Sequence, residues 1–125
     1  MKNIIKKYMS EFNRKYFFNS FVENAKKRKI DYRWVVTEIQ DKNPPRLYEK
    51  DIVEVYYYEQ CIFKNENPWR IMGKTKNGLY FFIDASCNYS GFSSEGNFIV
   101  YFSTNINTML YYGITENIRQ TLKFT

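Results

Sequence analysis

The chain has 125 residues, a length typical of one domain, and its apolar fraction of 44% is enough to form a core, which excludes a wholly disordered protein. It contains no histidine, so serine–histidine and cysteine–histidine catalytic pairs are excluded. The net charge of +6 is concentrated at one end: residues 1–29 hold nine basic and two acidic side chains, and the remaining chain holds 10 and 11.

Residues 1–29 are predicted to form a basic helical arm. Ile4, Ile5 and four later apolar residues recur at helical spacing, and most of the lysines lie on the opposite side. Ser20 to Glu23 resembles a capping box. We therefore predict helices over about 2–17 and 20–29 with a kink at Asn19; one bent helix is the alternative.

Residues 30–50 are predicted to be a connector between this arm and the body. The run around Trp34 and Val35 is compatible with a strand or a short helix, and Asn43-Pro44-Pro45 ends it, because the residue before a proline avoids helical geometry. This segment is the predicted hinge.

Residues 51–125 are predicted to form an α+β domain. Runs rich in Val, Ile, Tyr and Phe predict strands over about 52–62, 69–75, 79–86 and 97–103. A three-residue turn with a left-handed Gly78 pairs Ile71 with Ile83 and Arg70 with Asp84, which separates apolar from charged faces better than a two-residue turn. Two short helices are predicted over about 105–112 and 115–122, with Gly113 as a C-cap. The expected fold class is thus α+β: an N-terminal helical arm, an antiparallel meander of three or four strands, and short C-terminal helices covering part of one sheet face.

The loop after the third predicted strand is distinctive. Asn77-Gly78-Leu79-Tyr80, Cys87-Asn88-Tyr89-Ser90-Gly91-Phe92 and Tyr112-Gly113-Ile114-Thr115 together resemble small bacterial and phage domains of uncharacterised activity. Those domains carry an Asp-Gly-Arg-Tyr hairpin and a Cys-Asp-Tyr-Thr-Gly-Trp-Asp-Cys loop, and the resemblance spans about 52–122. It implies a fold module and no activity. Asn88, Ser93 and Ser94 depart from the loop pattern, so the resemblance does not extend to a metal or redox role.

No catalytic set is visible in the sequence. Cys87 has no histidine to activate it, and the acidic pairs Asp51/Glu54 and Glu54/Glu59 follow no specific spacing. We expect a non-enzymatic protein without a cofactor or metal. Two cysteines are too few for a disulfide framework, and no secretory signal or apolar span is present, so an intracellular, soluble protein is expected, with a virion location if the source is a virus.

The basic arm is the predicted functional site. Lysines and arginines interleaved with aromatic residues are suited to binding phosphates without sequence preference, as in DNA packaging or condensation, and exposed tyrosines such as Tyr56-Tyr57-Tyr58 could stack on single strands. The predicted backbone-binding residues are Lys2, Lys6, Lys7, Arg14, Lys15, Lys26, Lys27, Arg28 and Lys29. The expected partner is the backbone of DNA or RNA. The alternative is a protein–protein interaction module whose aromatic surface forms a homodimer or binds a partner, and contact of the arm with an anionic membrane surface is a further alternative.

Overall fold

The computed structural model describes residues 30–35, 43–60, 69–85 and 98–122. Their strands form one five-stranded sheet in the order β1-β5-β4-β3-β2. The strands are β1 (Asp31–Trp34), β2 (Ile52–Gln60), β3 (Trp69–Thr75), β4 (Tyr80–Ala85) and β5 (Phe98–Ser103). A 3₁₀ turn (Glu49–Asp51) precedes β2.

Two short helices follow the sheet. Helix α1 comprises an α-helical turn (Ile106–Thr108) that continues into a π-helical turn (Met109–Gly113), and helix α2 spans Glu116–Thr121. Both lie close to the predicted ranges of 105–112 and 115–122. Gly113 differs from its predicted role as a C-cap: it is the last residue of the π-helical turn, and Ile114 follows as the cap. Gly78 is the glycine with a positive φ among the described residues.

The predicted three- or four-stranded antiparallel meander is wrong. Strands β2 to β5 are antiparallel neighbours, but the sheet has a fifth strand, β1, which pairs in parallel with β5 and makes the sheet mixed. This pairing joins Tyr32 to Val100 and Trp34 to Phe102, far apart in the chain. The described residues contain no N-terminal helical arm, and the arm predicted for residues 1–29 lies outside them.

The predicted turn between β3 and β4 is confirmed. Gly78 has a φ of 83°, and the backbone N–H of Thr75 donates to the carbonyl of Leu79 at 2.8 Å. The register that follows pairs Ile71 with Ile83 and Arg70 with Asp84. The alternation of apolar and charged residues therefore determines the register, as the sequence indicated.

Strand β2 contains two irregularities that account for its side-chain pattern. The register shifts between Ile52 and Glu54, so Ile52 and Val55 are both fully buried although they are three residues apart. Val53, the extra residue at this shift, is 41% exposed. The second shift lies between Val55 and Tyr57.

Both faces of the sheet are apolar, and each has its own cluster of buried residues. The first-face cluster consists of Trp34, Leu47, Ile52, Val55, Ile71, Phe81, Ile83, Val100 and Phe102. The helix-face cluster consists of Val35, Tyr56, Met72, Phe82, Met109, Leu110, Ile114, Ile118 and Leu122. The C-terminal helices thus cover part of the second face, as the aromatic residues on both strand faces predicted.

Candidate nucleic-acid interface

The nine predicted phosphate-binding residues all precede residue 30 and lie outside the described residues. The charged side chains of the described residues can be counted. The described residues contain seven basic and seven acidic side chains, so they carry no net charge, and the chain's excess of +6 lies in the remaining residues. The described part of the chain is therefore neutral, and the nine basic residues of the N-terminal segment lie outside it.

Several basic side chains of the sheet are paired with carboxylates. Arg70 lies 3.3 Å from Asp84 across the β3–β4 pair, and Lys76 lies 3.2 Å from Asp51. The Nε of Arg33 donates to Asp31 at 2.8 Å, which raises the pKa of the guanidinium. Asp51 is 16% exposed, whereas the other side chains in these pairs are 34–55% exposed, and exposed ion pairs contribute little to stability.

Three further basic side chains lie over tyrosine rings. The Nζ of Lys74 is 5.4 Å from the centre of the Tyr80 ring, and that of Lys50 is 5.7 Å from the Tyr48 ring. Arg119 makes the closest of these contacts, 4.8 Å from the centre of the Tyr111 ring. Each distance is within the range of cation–π attraction.

Tyr56 and Tyr57, which the sequence predicts to be exposed and to stack on single strands, pack against the core instead. Tyr56 is 5% exposed and belongs to the helix-face cluster, and Tyr57 packs against that cluster. The hydroxyl of Tyr56 donates to the carboxylate of Glu54. Burial first, and the Glu54 carboxylate second, raise the pKa of Tyr56 well above its usual range. Tyr56 is a structural residue, so its predicted exposure is wrong, because a half-buried strand uses tyrosine for packing. The side chain of Tyr58 is outside those that the structure describes.

The exposed aromatic residues lie elsewhere. Tyr111 and Tyr112, in the π-helical turn of α1, are 62% and 65% exposed, and Tyr48 is 51% exposed. Sequence reasoning missed Tyr111 and Tyr112. A signal was available, because the apolar residues around them recur at helical spacing and place the two tyrosines on the opposite side of the helix.

The turn that carries these two tyrosines is built from defined contacts. The side-chain oxygen of Asn105 accepts from the N–H groups of Asn107 at 2.8 Å and Thr108 at 3.2 Å, which caps the start of α1. At its end the N–H of Ile114 donates to the carbonyl of Met109 at 3.0 Å, five residues back. This hydrogen bond closes the wide turn, and Met109 and Ile114 are both buried.

Arg119 connects α2 to this turn. Its guanidinium donates to the carbonyl of Leu110 at 2.9 Å while lying over the Tyr111 ring. Helix α2 is itself capped by Thr115, whose hydroxyl oxygen accepts from the N–H of Ile118. Tyr111 and Tyr112 are thus both exposed, and the Tyr111 ring lies in contact with the Arg119 cation.

Comparison with family models, curated proteins and solved structures finds no match for this chain. Its chemistry must therefore be argued from its own residues. The distinctive loop with Cys87, and Cys61 as well, lie outside the described residues. Within the described ranges, no three carboxylate or thiol ligands are grouped so as to hold a metal ion, and no helix is long and apolar enough to cross a membrane.

Proposed function

We propose that this chain is a small, non-catalytic nucleic-acid-binding protein that holds the phosphate backbone through the basic side chains of residues 1–29. The observation that supports the proposal is the distribution of charge. Nine basic residues stand among the first 29, whereas the described body is neutral. A solubility role alone does not require such a separation, and a polyanion is the partner that it suits best.

The engagement of the body's own cations supports the same assignment. Six of the seven basic side chains in the described ranges lie against carboxylates or tyrosine rings. Arg33, Arg70 and Lys76 are neutralised by carboxylates and are therefore less available to replace the counterions of a nucleic acid, whereas the cations over tyrosine rings keep their charge. The proposal therefore places backbone binding in residues 1–29 and gives the sheet the role of a scaffold.

The test is a fluorescence-anisotropy titration of the full chain with random-sequence double-stranded DNA across a series of salt concentrations. One variant replaces Lys26, Lys27 and Lys29 with Gln. The matched control replaces the same number of cations in the body, Arg46, Lys50 and Lys76, with Gln. For the first variant we expect the slope of log K against log salt to fall by about two to three, since each lost phosphate contact removes about 0.9. For the control we expect little change.

Three outcomes would contradict the proposal. Absence of binding by the unmodified chain even at low salt would refute it. Equal losses in the two variants would mean that total charge, rather than residues 1–29, determines affinity. A marked preference for one base sequence would refute the sequence-nonspecific form.

The exposed tyrosines support a second candidate, an interaction module with an aromatic surface. Tyr48, Val53, Tyr111 and Tyr112 are the large hydrophobic residues that the described surface exposes. This candidate predicts a homodimer or larger assembly that persists at high salt, because apolar contacts are not screened. Light scattering of the full chain at low and high salt separates the two candidates, and a monomer at both would count against the homodimer.

A further inference from the structure

We infer that Tyr111 and Tyr112 form a stacking site for the unpaired bases of a single-stranded nucleic acid. The inference rests on the proposed function and narrows it, because it names the form of nucleic acid that this surface would select. Base stacking on aromatic rings tolerates every sequence, which fits a chain whose other contacts are with phosphates.

Both tyrosine rings are strongly exposed. Most aromatic side chains that the structure describes in the sheet are buried; Phe81, Phe82 and Phe102 are at most 1% exposed. Tyr111 and Tyr112 directly follow two buried residues and are nevertheless 62% and 65% exposed. Packing of the core therefore does not account for two large rings at these positions.

The local structure fixes the position of the Tyr111 ring. Arg119 donates to the Leu110 carbonyl at 2.9 Å and lies 4.8 Å from the centre of the Tyr111 ring. The buried residues Met109 and Ile114 anchor the same turn to the sheet. A ring held in this way loses little conformational entropy when a base stacks on it. π-helical turns are also frequent at functional sites.

The charge beside the Tyr111 ring favours a nucleic acid over a protein partner. Among the described residues no carboxylate forms an ion pair with Arg119; the nearby Glu116 accepts instead from Gln120 at 3.4 Å. The guanidinium can therefore stack on a base or attract a phosphate. A cation beside the Tyr111 ring, with Tyr112 exposed next to it in the chain, is complementary to a polyanion with aromatic bases on a chain of charge +6.

The test compares two probes on the full chain. One is a deoxythymidine oligonucleotide of about 12 nucleotides, a typical single-strand site size, with 2-aminopurine at its centre; the other is a random duplex of equal length. The variant Tyr111→Ala/Tyr112→Ala removes both rings. Tyr48→Ala is the matched control, because Tyr48 is also exposed and also lies beside a cation. Tyr111→Phe/Tyr112→Phe keeps the rings.

We expect the double alanine variant to bind the single strand about fivefold to a hundredfold more weakly and to lose the quenching of 2-aminopurine. Its affinity for the duplex should stay within about twofold, because duplex bases are already stacked. The phenylalanine variant and the Tyr48 control should behave as the unmodified chain does. Unchanged thermal melting of each variant establishes that the fold is intact.

The possible failures are distinct from one another. If the unmodified chain binds both probes and the alanine variant binds the single strand equally well, the stacking site is refuted and the proposed function stands. If the unmodified chain binds neither probe, the proposed function fails and this inference fails with it. If the alanine substitutions instead convert a dimer into a monomer in light scattering, the surface is an interface between copies, which also refutes the inference.

Discussion

Gly113 lies against the sulfur of Met109, and a methyl group added to Gly113 would overlap that sulfur. The same methyl group would come within 3.1 Å of Cγ2 of Val35. Met109 is fully buried and Val35 is 1% exposed, so neither can move away into solvent. Gly113 is therefore required for space between α1 and the sheet and not for its backbone conformation.

We predict that Gly113→Ala lowers the free energy of unfolding by about 1–2 kcal/mol. The overlap with the Met109 sulfur puts the cost of overpacking at about 2–3 kcal/mol, the upper part of its usual range, and alanine regains roughly 1 kcal/mol over glycine in a helix. Urea denaturation of the full chain measures it. A Gly113→Ala variant as stable as the unmodified chain would contradict the prediction.

Gly78 provides the control, because its constraint is the backbone conformation and not the space around a side chain. A Cβ there would meet nothing within 4 Å, but the φ of 83° is left-handed. Gly78→Ala should cost about 1–2 kcal/mol, and Gly78→Asn less, since asparagine tolerates this region. At Gly113 the order should be reversed, with Asn more destabilising than Ala because it is larger.

Much of the sheet could be predicted from the sequence because its information is local. Strands β2 to β5 follow one another as antiparallel neighbours, and the positions of Gly78 and of the alternating residues near it determine the β3–β4 register. Strand β1 could not be placed in this way. It has four residues, and its parallel partner β5 is far along the chain, so the pairing of Trp34 with Phe102 depends on tertiary contacts.

Part of the candidate site could also be predicted from the sequence, because its information is local. Helical spacing in α1 places Tyr111 and Tyr112 away from the core, whereas the position of Arg119 over the Tyr111 ring depends on how α2 packs on α1. Tyr56 shows the opposite case. The run Tyr56-Tyr57-Tyr58 suggested an exposed aromatic surface, but the register shift between Val55 and Tyr57 and the helices on that face bury Tyr56.

Removal of the Tyr56 hydroxyl should weaken the fold and alter its response to alkali. We predict that Tyr56→Phe lowers stability at neutral pH by about 1–2 kcal/mol, because a partly buried hydrogen bond to the Glu54 carboxylate is lost. Burial and Glu54 raise the pKa of Tyr56, so the folded state keeps its proton where the unfolded chain loses it. Stability of the unmodified chain therefore falls as the pH rises above about 10, the pKa of an unfolded tyrosine.

This pH dependence can be assigned to individual residues. Burial also raises the pKa of Tyr32, which packs against the first-face cluster. Urea denaturation between neutral pH and about pH 11 should give a shallower loss of stability for Tyr56→Phe and for Tyr32→Phe, and the shallowest for the double variant. Identical slopes in all four proteins would show that the two hydroxyls do not cause the alkaline loss.

The Asn105 cap of α1 should protect individual backbone amides from hydrogen exchange. Asn105→Ala removes the oxygen that accepts from the N–H groups of Asn107 and Thr108 and should cost about 1 kcal/mol. Hydrogen exchange of those two amides should become faster, and Asn105→Ser should restore part of the protection. Thr115→Ala, at the start of α2, should instead accelerate exchange of the Ile118 amide. Exchange that is unchanged at Asn107 and Thr108 would mean that the cap does not protect them.

Two substitutions of Arg119 distinguish the contribution of its charge from that of its planar guanidinium. Arg119→Gln removes the cation, whereas Arg119→Lys keeps it but loses the planar group that lies over the Tyr111 ring while donating to the Leu110 carbonyl. If the guanidinium acts by holding the Tyr111 ring, both variants should bind the single strand more weakly, by about threefold to tenfold, and duplex binding should change little. If Arg119 contributes only charge, Arg119→Lys should match the unmodified chain on both probes. Lys50→Gln removes the cation beside the exposed Tyr48 ring and is the control. A loss in that variant as large as in Arg119→Gln would show that the position of the cation is irrelevant and that the α1–α2 surface is not a specific site.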